Sequence, residues 1–255
     1  MKHKYAIILP LIFCTQFFAL KMLAFQETDS IPKKQYKNVI RYNLSGAMLF
    51  GIDRYIVFGF ERVIRPNQSI SINIGKVSLP KFVDIITDSL QLSKDKKSNG
   101  FNLSLDYRFY LAKENKYPAP RGIYIGPYYS FNTFTRDNEW KYRKGPANNF
   151  INTESKFDIH TVGFEIGYQF ILWDRLALDL LMVGPGVGVY TYKATFDNNL
   201  DPATKEQLLD GLQQLITQKF PGMNYVFADK ELSGSGTLKT TSLGYRYIIQ
   251  IGFNF

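Results

Sequence analysis

Histidine is the side chain most often recruited for proton transfer near neutral pH, and the chain has two, His3 and His160. Hydrolysis of a membrane lipid such as lipid A needs a serine and a carboxylate working with the imidazole. Two positions after His160 stands Val162, so no His-x-Ser arrangement accompanies it. His160 therefore reads better as an interfacial ring near the outer end of a strand than as a base. The run Gly184-Pro185-Gly186-Val187-Gly188 superficially resembles a phosphate loop. It lacks the Lys-Ser/Thr and the following helix, and small residues at a crowded or kinked stretch of sheet explain it better. The single cysteine, Cys14, excludes a disulfide scaffold and a cysteine zinc site. No catalytic residue, metal, cofactor or nucleic-acid partner is expected, and a lipid A-modifying enzyme stands as the alternative.

The charged residues carry more information through their spacing. Arg41, Glu61, Asp106, Arg108, Glu165, Asp179 and Arg246 all fall on the polar side of segments that alternate polar and apolar residues. Phe101 to Phe109 is the clearest such segment, with apolar residues at odd positions and polar ones at even positions. That is the period of a strand with one apolar face. Further segments lie near 39–51, 54–65, 69–79, 121–135, 157–172, 175–193 and 243–255, which makes eight. Four acids against three bases on the shared polar faces imply a packed interior in which each charge is paired, since an isolated buried charge costs several kcal/mol.

Composition agrees. The chain has 21 Phe, 17 Tyr and 19 Gly among 255 residues, yet a mean hydropathy of only −0.17. A membrane β-barrel has this signature, because alternation averages out its apolar face. The expected fold is thus all-β: an eight-stranded antiparallel up-and-down transmembrane β-barrel with a helix-containing extracellular loop. The connections fit. The even-numbered links at 66–68, 112–120 and 173–174 are short, whereas three of the four odd-numbered ones, at 80–100, 136–156 and 194–238, are long, the exception being Ile52-Asp53. An even strand number puts the long links on the extracellular side and both termini in the periplasm. An eight-stranded interior is only wide enough for side chains, so no open pore is expected and a small channel is the second alternative.

Residues 1–24 read as a secretory signal peptide: basic Lys2 and Lys4, an apolar run from Tyr5 to Leu20, and cleavage near Ala24. Its loss would remove Lys2, Lys4 and Lys21, taking the charge from +9 to +6. Residues 25–38 form a short periplasmic segment and 39–255 the barrel. The last strand presents Tyr247, Ile249, Ile251, Phe253 and Phe255 on one face, a pattern similar to the terminal signal read by the barrel assembly machinery.

The segments 105–111, 121–128 and 163–169, followed by Gly184-Pro185-Gly186, resemble a family of small Bacteroidota outer-membrane barrels of unknown function (DUF3575-like). More distantly, the architecture is similar to OmpA and OmpX. The resemblance covers most of 39–193 and the final strand. It implies a fold and an outer-membrane location but no activity.

Within 194–238, Asp201 caps a helix over 202–220 that Pro221-Gly222 stops. Leu208, Leu209, Leu212, Leu215, Ile216 and Phe220 form its apolar stripe. The stripe serves as a lid on the strand tips or as a docking face for an outer-membrane partner. Arg136, Lys141, Arg143 and Lys144 in the preceding long link suit contacts with lipopolysaccharide phosphates. The expected role is structural or interaction-based, in contact with outer-membrane lipid and with loops presented at the cell surface.

Overall fold

The computed structural model describes residues 36–78, 90–144, 147–196, 202, 203, 205, 206, 209, 210, 226 and 236–255. Its elements are β1 (Asn38–Asn43), α1 (Leu44–Phe50), β2 (Tyr55–Arg65), β3 (Gln68–Val77), β4 (Leu90–Tyr110), β5 (Gly122–Lys144), β6 (Ala147–Leu172), β7 (Leu176–Phe196) and β8 (Thr237–Asn254). All eight strands are antiparallel to their chain neighbours, and β8 returns to pair with β1, so the sheet closes into a ring. Closure leaves no edge along the paired rows.

Alternation along each strand decides which face looks inward. Arg41, Glu61, Ser71, Asp106, Arg108, Glu165, Gln169, Asp179 and Gln250 are buried inside. Their neighbours Ile40, Phe60, Ile72, Leu105, Phe109, Phe164, Ile166 and Ile251 stand exposed on the outer wall. This polarity is the reverse of a water-soluble domain. β7 changes parity once, at a bulge between Leu181 and Gly184, where Met182 and Val183 both face out. The Gly184-Pro185-Gly186 run sits directly after that irregularity.

Large interior side chains need space, and glycines on the next strand supply it. Tyr124 is the register partner of Gly167, and Tyr128 that of Gly163. A Cβ at Gly167 would collide with the Tyr124 ring, and one at Gly163 with Tyr128 and the Pro185 carbonyl. Each tyrosine lies across the bare backbone of its partner.

Three expectations are corrected. The first strand does not run to 51. It stops at Asn43, whose side chain caps α1 by accepting from the Gly46 N–H at 3.0 Å. The stretch 44–50 contains no β-branched residue, and Gly51, at φ 101°, ends the helix. Second, 80–100 is not all loop, because β4 begins at Leu90. Third, 136–156 is a continuation of β5 and β6, which pair from Gly122↔Gln169 out to Lys144↔Ala147.

These extensions obey a different rule from the strands below them. In the row Tyr129, Val162, Val187 and Leu243 the outward residues are apolar and exposed. Four residues further along each strand, the row Thr133, Asp158, Thr191 and Lys239 is polar. Beyond that row Glu154 and Lys156 face out, while the buried inward residues mix Ile151, Phe157, Tyr192 and Leu238 with Arg136, Asn138, Thr153 and Ser155. Phe157 stacks on Phe134 and Tyr190 and meets Tyr192 edge-on. The outer face thus turns from apolar to polar at a single row of the sheet.

Replacing Gly167 with Val should lower stability by about 1–3 kcal/mol through overpacking against Tyr124, read as a lower urea midpoint. Gly244→Ala should cost less, because its nearest obstacle is the Tyr190 hydroxyl at 3.0 Å, the end of a movable side chain.

Candidate functional site

The inward residues converge on a single ion network. Arg41 on β1 uses Nη1 to reach Glu61 of β2 at 2.8 Å, Gln169 of β6 at 2.7 Å and Asp179 of β7 at 2.6 Å. Its Nη2 donates to the Ser71 hydroxyl at 2.5 Å. Arg108 on β4 approaches the same acids, Asp179 at 2.9 Å and Glu61 at 3.3 Å, and Glu165 through Nε at 3.4 Å. Its guanidinium lies 4.2 Å above the Tyr124 ring. Hydroxyl groups supply further donors to two of these carboxylates. Glu61 accepts from the hydroxyls of Ser69 at 2.5 Å and Tyr110 at 2.7 Å, and Asp179 from Tyr124 at 2.8 Å.

A second cluster is built around Arg246 of β8. Its Nη2 donates to Asp106 of β4 at 2.6 Å and also to Glu165 of β6. In an eight-membered ring β4 and β8 are opposite walls, so the Asp106–Arg246 pair crosses the whole interior. Asn73 of β3 joins this cluster, donating to Asp106 at 3.0 Å and accepting from Gln250 of β8 at 2.9 Å. Every strand contributes at least one member.

Taking such groups from water costs several kcal/mol per ion, and only multiple partners recover it. Arg41, Glu61, Asp106, Arg108 and Asp179 are at most 1% exposed, so water is not the partner. The arrangement does two things chemically. It fixes the register of strands far apart in sequence, and it fills the centre of the ring with charge-paired side chains.

The structure brings together all seven charged residues selected from the sequence. Gln169, Tyr110 and Tyr124 are members that sequence reasoning missed. Gln169 shares the parity of Glu165, but an uncharged amide gives no sign in the sequence that it is a junction. Tyr110 and Tyr124 have the parity of Asp106 and Arg108 and of Gly126 respectively. Counting parity through the aromatics would have found them.

Other candidate residues lie elsewhere. His160 is exposed on the outer wall, with Nδ1 2.9 Å from the Tyr129 hydroxyl and its ring stacked on Phe131 at 4.6 Å. Arg136, expected at the surface for phosphate contacts, is instead buried at 4% exposure on the inward face of β5. The strand continuation accounts for this correction, since even positions of β5 face in. Lys141 is half-buried, and the side chains of Arg143 and Lys144 lie outside the described residues. Tyr247, Ile251, Phe253 and Phe255 are exposed on the outer wall and Ile249 is half-buried. Of the helix at 202–220, Pro202, Ala203, Lys205, Glu206, Leu209 and Asp210 are described and helical. Leu208, Leu212, Leu215, Ile216 and Phe220 lie outside the described residues.

Compared with known protein families, curated proteins and solved structures, the chain matches none.

Replacing Arg41 with Met should cost about 3–5 kcal/mol, because Glu61 and Asp179 are left buried with one cation fewer. Adding Asp179→Asn should recover part of that loss in a double-mutant cycle. Tyr110→Phe should cost only about 1 kcal/mol. Equilibrium urea unfolding reads all three.

Proposed function

We propose that the chain is an integral outer-membrane β-barrel protein with a closed, charged lumen and a structural or interaction role. In this reading the polar strand extensions stand at the cell surface, in keeping with the outer-membrane family that the sequence resembles. The observation that carries it is the inverted polarity of the ring: charges inside, isoleucine, leucine and phenylalanine outside. In water that wall would be an apolar patch far larger than monomers tolerate. Against hydrocarbon it is the required surface, and a closed sheet is one of the two ways a backbone can satisfy its polar groups there.

The change of the outer face from apolar to polar at the Thr133–Asp158–Thr191–Lys239 row supports an upper limit to the lipid-facing band. His160, Tyr129, Tyr245 and Tyr247 near that limit fit the interfacial girdle of membrane barrels. Trp173, 83% exposed in the turn between β6 and β7, suits the opposite interface. The three short turns on its side are periplasmic in this reading. The Asp106–Arg246 bridge supports a closed lumen over an ion-conducting one.

The chain expressed in a Gram-negative host should fractionate with the outer membrane and run faster on gels when unheated than when boiled. Purified and placed in planar bilayers, it should give no steady conductance. A water-soluble folded species would overturn the membrane reading, and a stable open channel would overturn the closed lumen.

A further inference from the structure

The ring is not uniformly walled. β1 ends at Asn43 and pairs with β8 only from Gln250 to Asn254, whereas β8 begins at Thr237. Past Gln250 the β1-facing edge of β8 has no strand partner among the described residues. α1 packs into this seam between β8 and β2, and the Ser45 hydroxyl accepts from the Ile249 N–H at 3.3 Å. The helix closes the seam incompletely. A cavity of about 420 Å³ opens there, a volume within the range of small-ligand sites.

Its lining has two characters. On the interior side the amides and hydroxyls of Asn102, Ser130, Asn132 and Thr161 stand beside the rings of Tyr128 and Tyr190. On the seam side it is formed by Leu49 and Phe50 of α1 with Tyr245 and Tyr247 of β8. Three of these four belong to the outer surface, with Leu49 77%, Tyr245 63% and Tyr247 64% exposed. One cavity therefore touches both the hydrogen-bonding interior and the apolar outside.

Charge narrows the occupant. Arg246 is the one ionised side chain of the lining, and Asp106 and Glu165 both bind it. One base against two acids disfavours an anionic group. Nε and Nη1 of Arg246 are shielded from the cavity, with the guanidinium 4.1 Å over the Tyr128 ring. The hydrogen-bonding groups that the lining presents are therefore its amides and hydroxyls, which suit a neutral, hydroxyl-bearing partner.

We propose that this cavity binds an amphiphile with an uncharged, hydroxyl-rich head. The head sits among Asn102, Ser130, Asn132 and Thr161 above Arg246, and the acyl chain leaves between Leu49 and Tyr245 into the bilayer. The tail's destination rests on the membrane reading above; the head site does not.

The test uses the full chain in dimethylamine-oxide micelles, whose heads carry no hydroxyl. The probe is a monoacylglycerol with a diazirine in its acyl chain, cross-linked by light and mapped by peptide mass spectrometry. Labelling should saturate, concentrate in 44–50 and 243–248, and be displaced by dodecyl maltoside but not by dodecyl phosphate. Thr161→Trp fills the head site and Leu49→Glu puts a charge in the tail path. Each should reduce labelling about tenfold while keeping the unheated gel mobility. Leu49 is exposed, so its variant reports even if Thr161→Trp does not fold. Non-saturating label spread equally over Phe58, Phe60 and Phe164 would overturn the proposal, as would displacement by dodecyl phosphate. Fractionation separates the two readings. A chain that inserts but shows no saturable label loses only the site. A water-soluble chain that labels at 44–50 and 243–248 loses only the membrane reading.

Discussion

Two guanidinium groups, Arg41 and Arg108, share the carboxylates of Glu61 and Asp179 in the middle of the ring, and the rest of the architecture depends on that arrangement. Ions without water must find each other. Here the partners come from β1, β2, β4 and β7, so no hairpin can satisfy the network alone. Ring closure and charge pairing are therefore one requirement. A sheet that failed to close would leave Arg41 without Asp179, and a one-residue register slip of any strand would turn that strand's charges to the outer wall. The interior glycines serve the same end. Gly167 lets Tyr124 lie flat enough to donate to Asp179 while its ring face meets Arg108.

Above the network the strands keep their pairing and change their chemistry. Below the Thr133–Lys239 row, apolar residues face out and polar ones in. Above it the outer face carries charged and hydroxyl side chains, and the interior holds Phe157 and Tyr192 together with Arg136, Asn138, Thr153 and Ser155. A backbone that continues without interruption through such a change is suited to cross from one solvent to another, which is the basis of the proposed outer-membrane reading. α1 belongs to this transition. It replaces the upper part of β1, and the cavity beside it is where the interior and the outer wall meet.

Much of this was legible in the sequence. The alternation in 101–109 gave β4 its faces, and the same count in seven other segments turned the seven charges inward. What stayed hidden has physical reasons. The extensions of β5 and β6 were read as loops because their alternation is reversed and weaker: Thr153 and Ser155 face in while Asn152 and Glu154 face out. That pattern looks polar throughout. α1 was hidden within an apolar stretch too short for helical periodicity to show, and its cap, Asn43, also continues the alternation of β1. Tyr110 and Tyr124 were hidden by their type, since an aromatic ring suits a lipid-facing wall as well as a crowded interior. The bulge at Met182 has no signal beyond the two apolar neighbours that it turns outward.

The central claim is that alternate residues of one strand face hydrocarbon and the packed interior. Spin labels test it most directly, since Cys14 is the chain's single cysteine and can be replaced. Labels at Leu103, Leu105 and Tyr107, in protein reconstituted into bilayers, should relax strongly with oxygen and weakly with a water-soluble nickel complex. Labels at Asn102 and Ser104 should show little contact with oxygen. Odd positions that respond to the nickel complex, or no alternation between odd and even, would contradict the account.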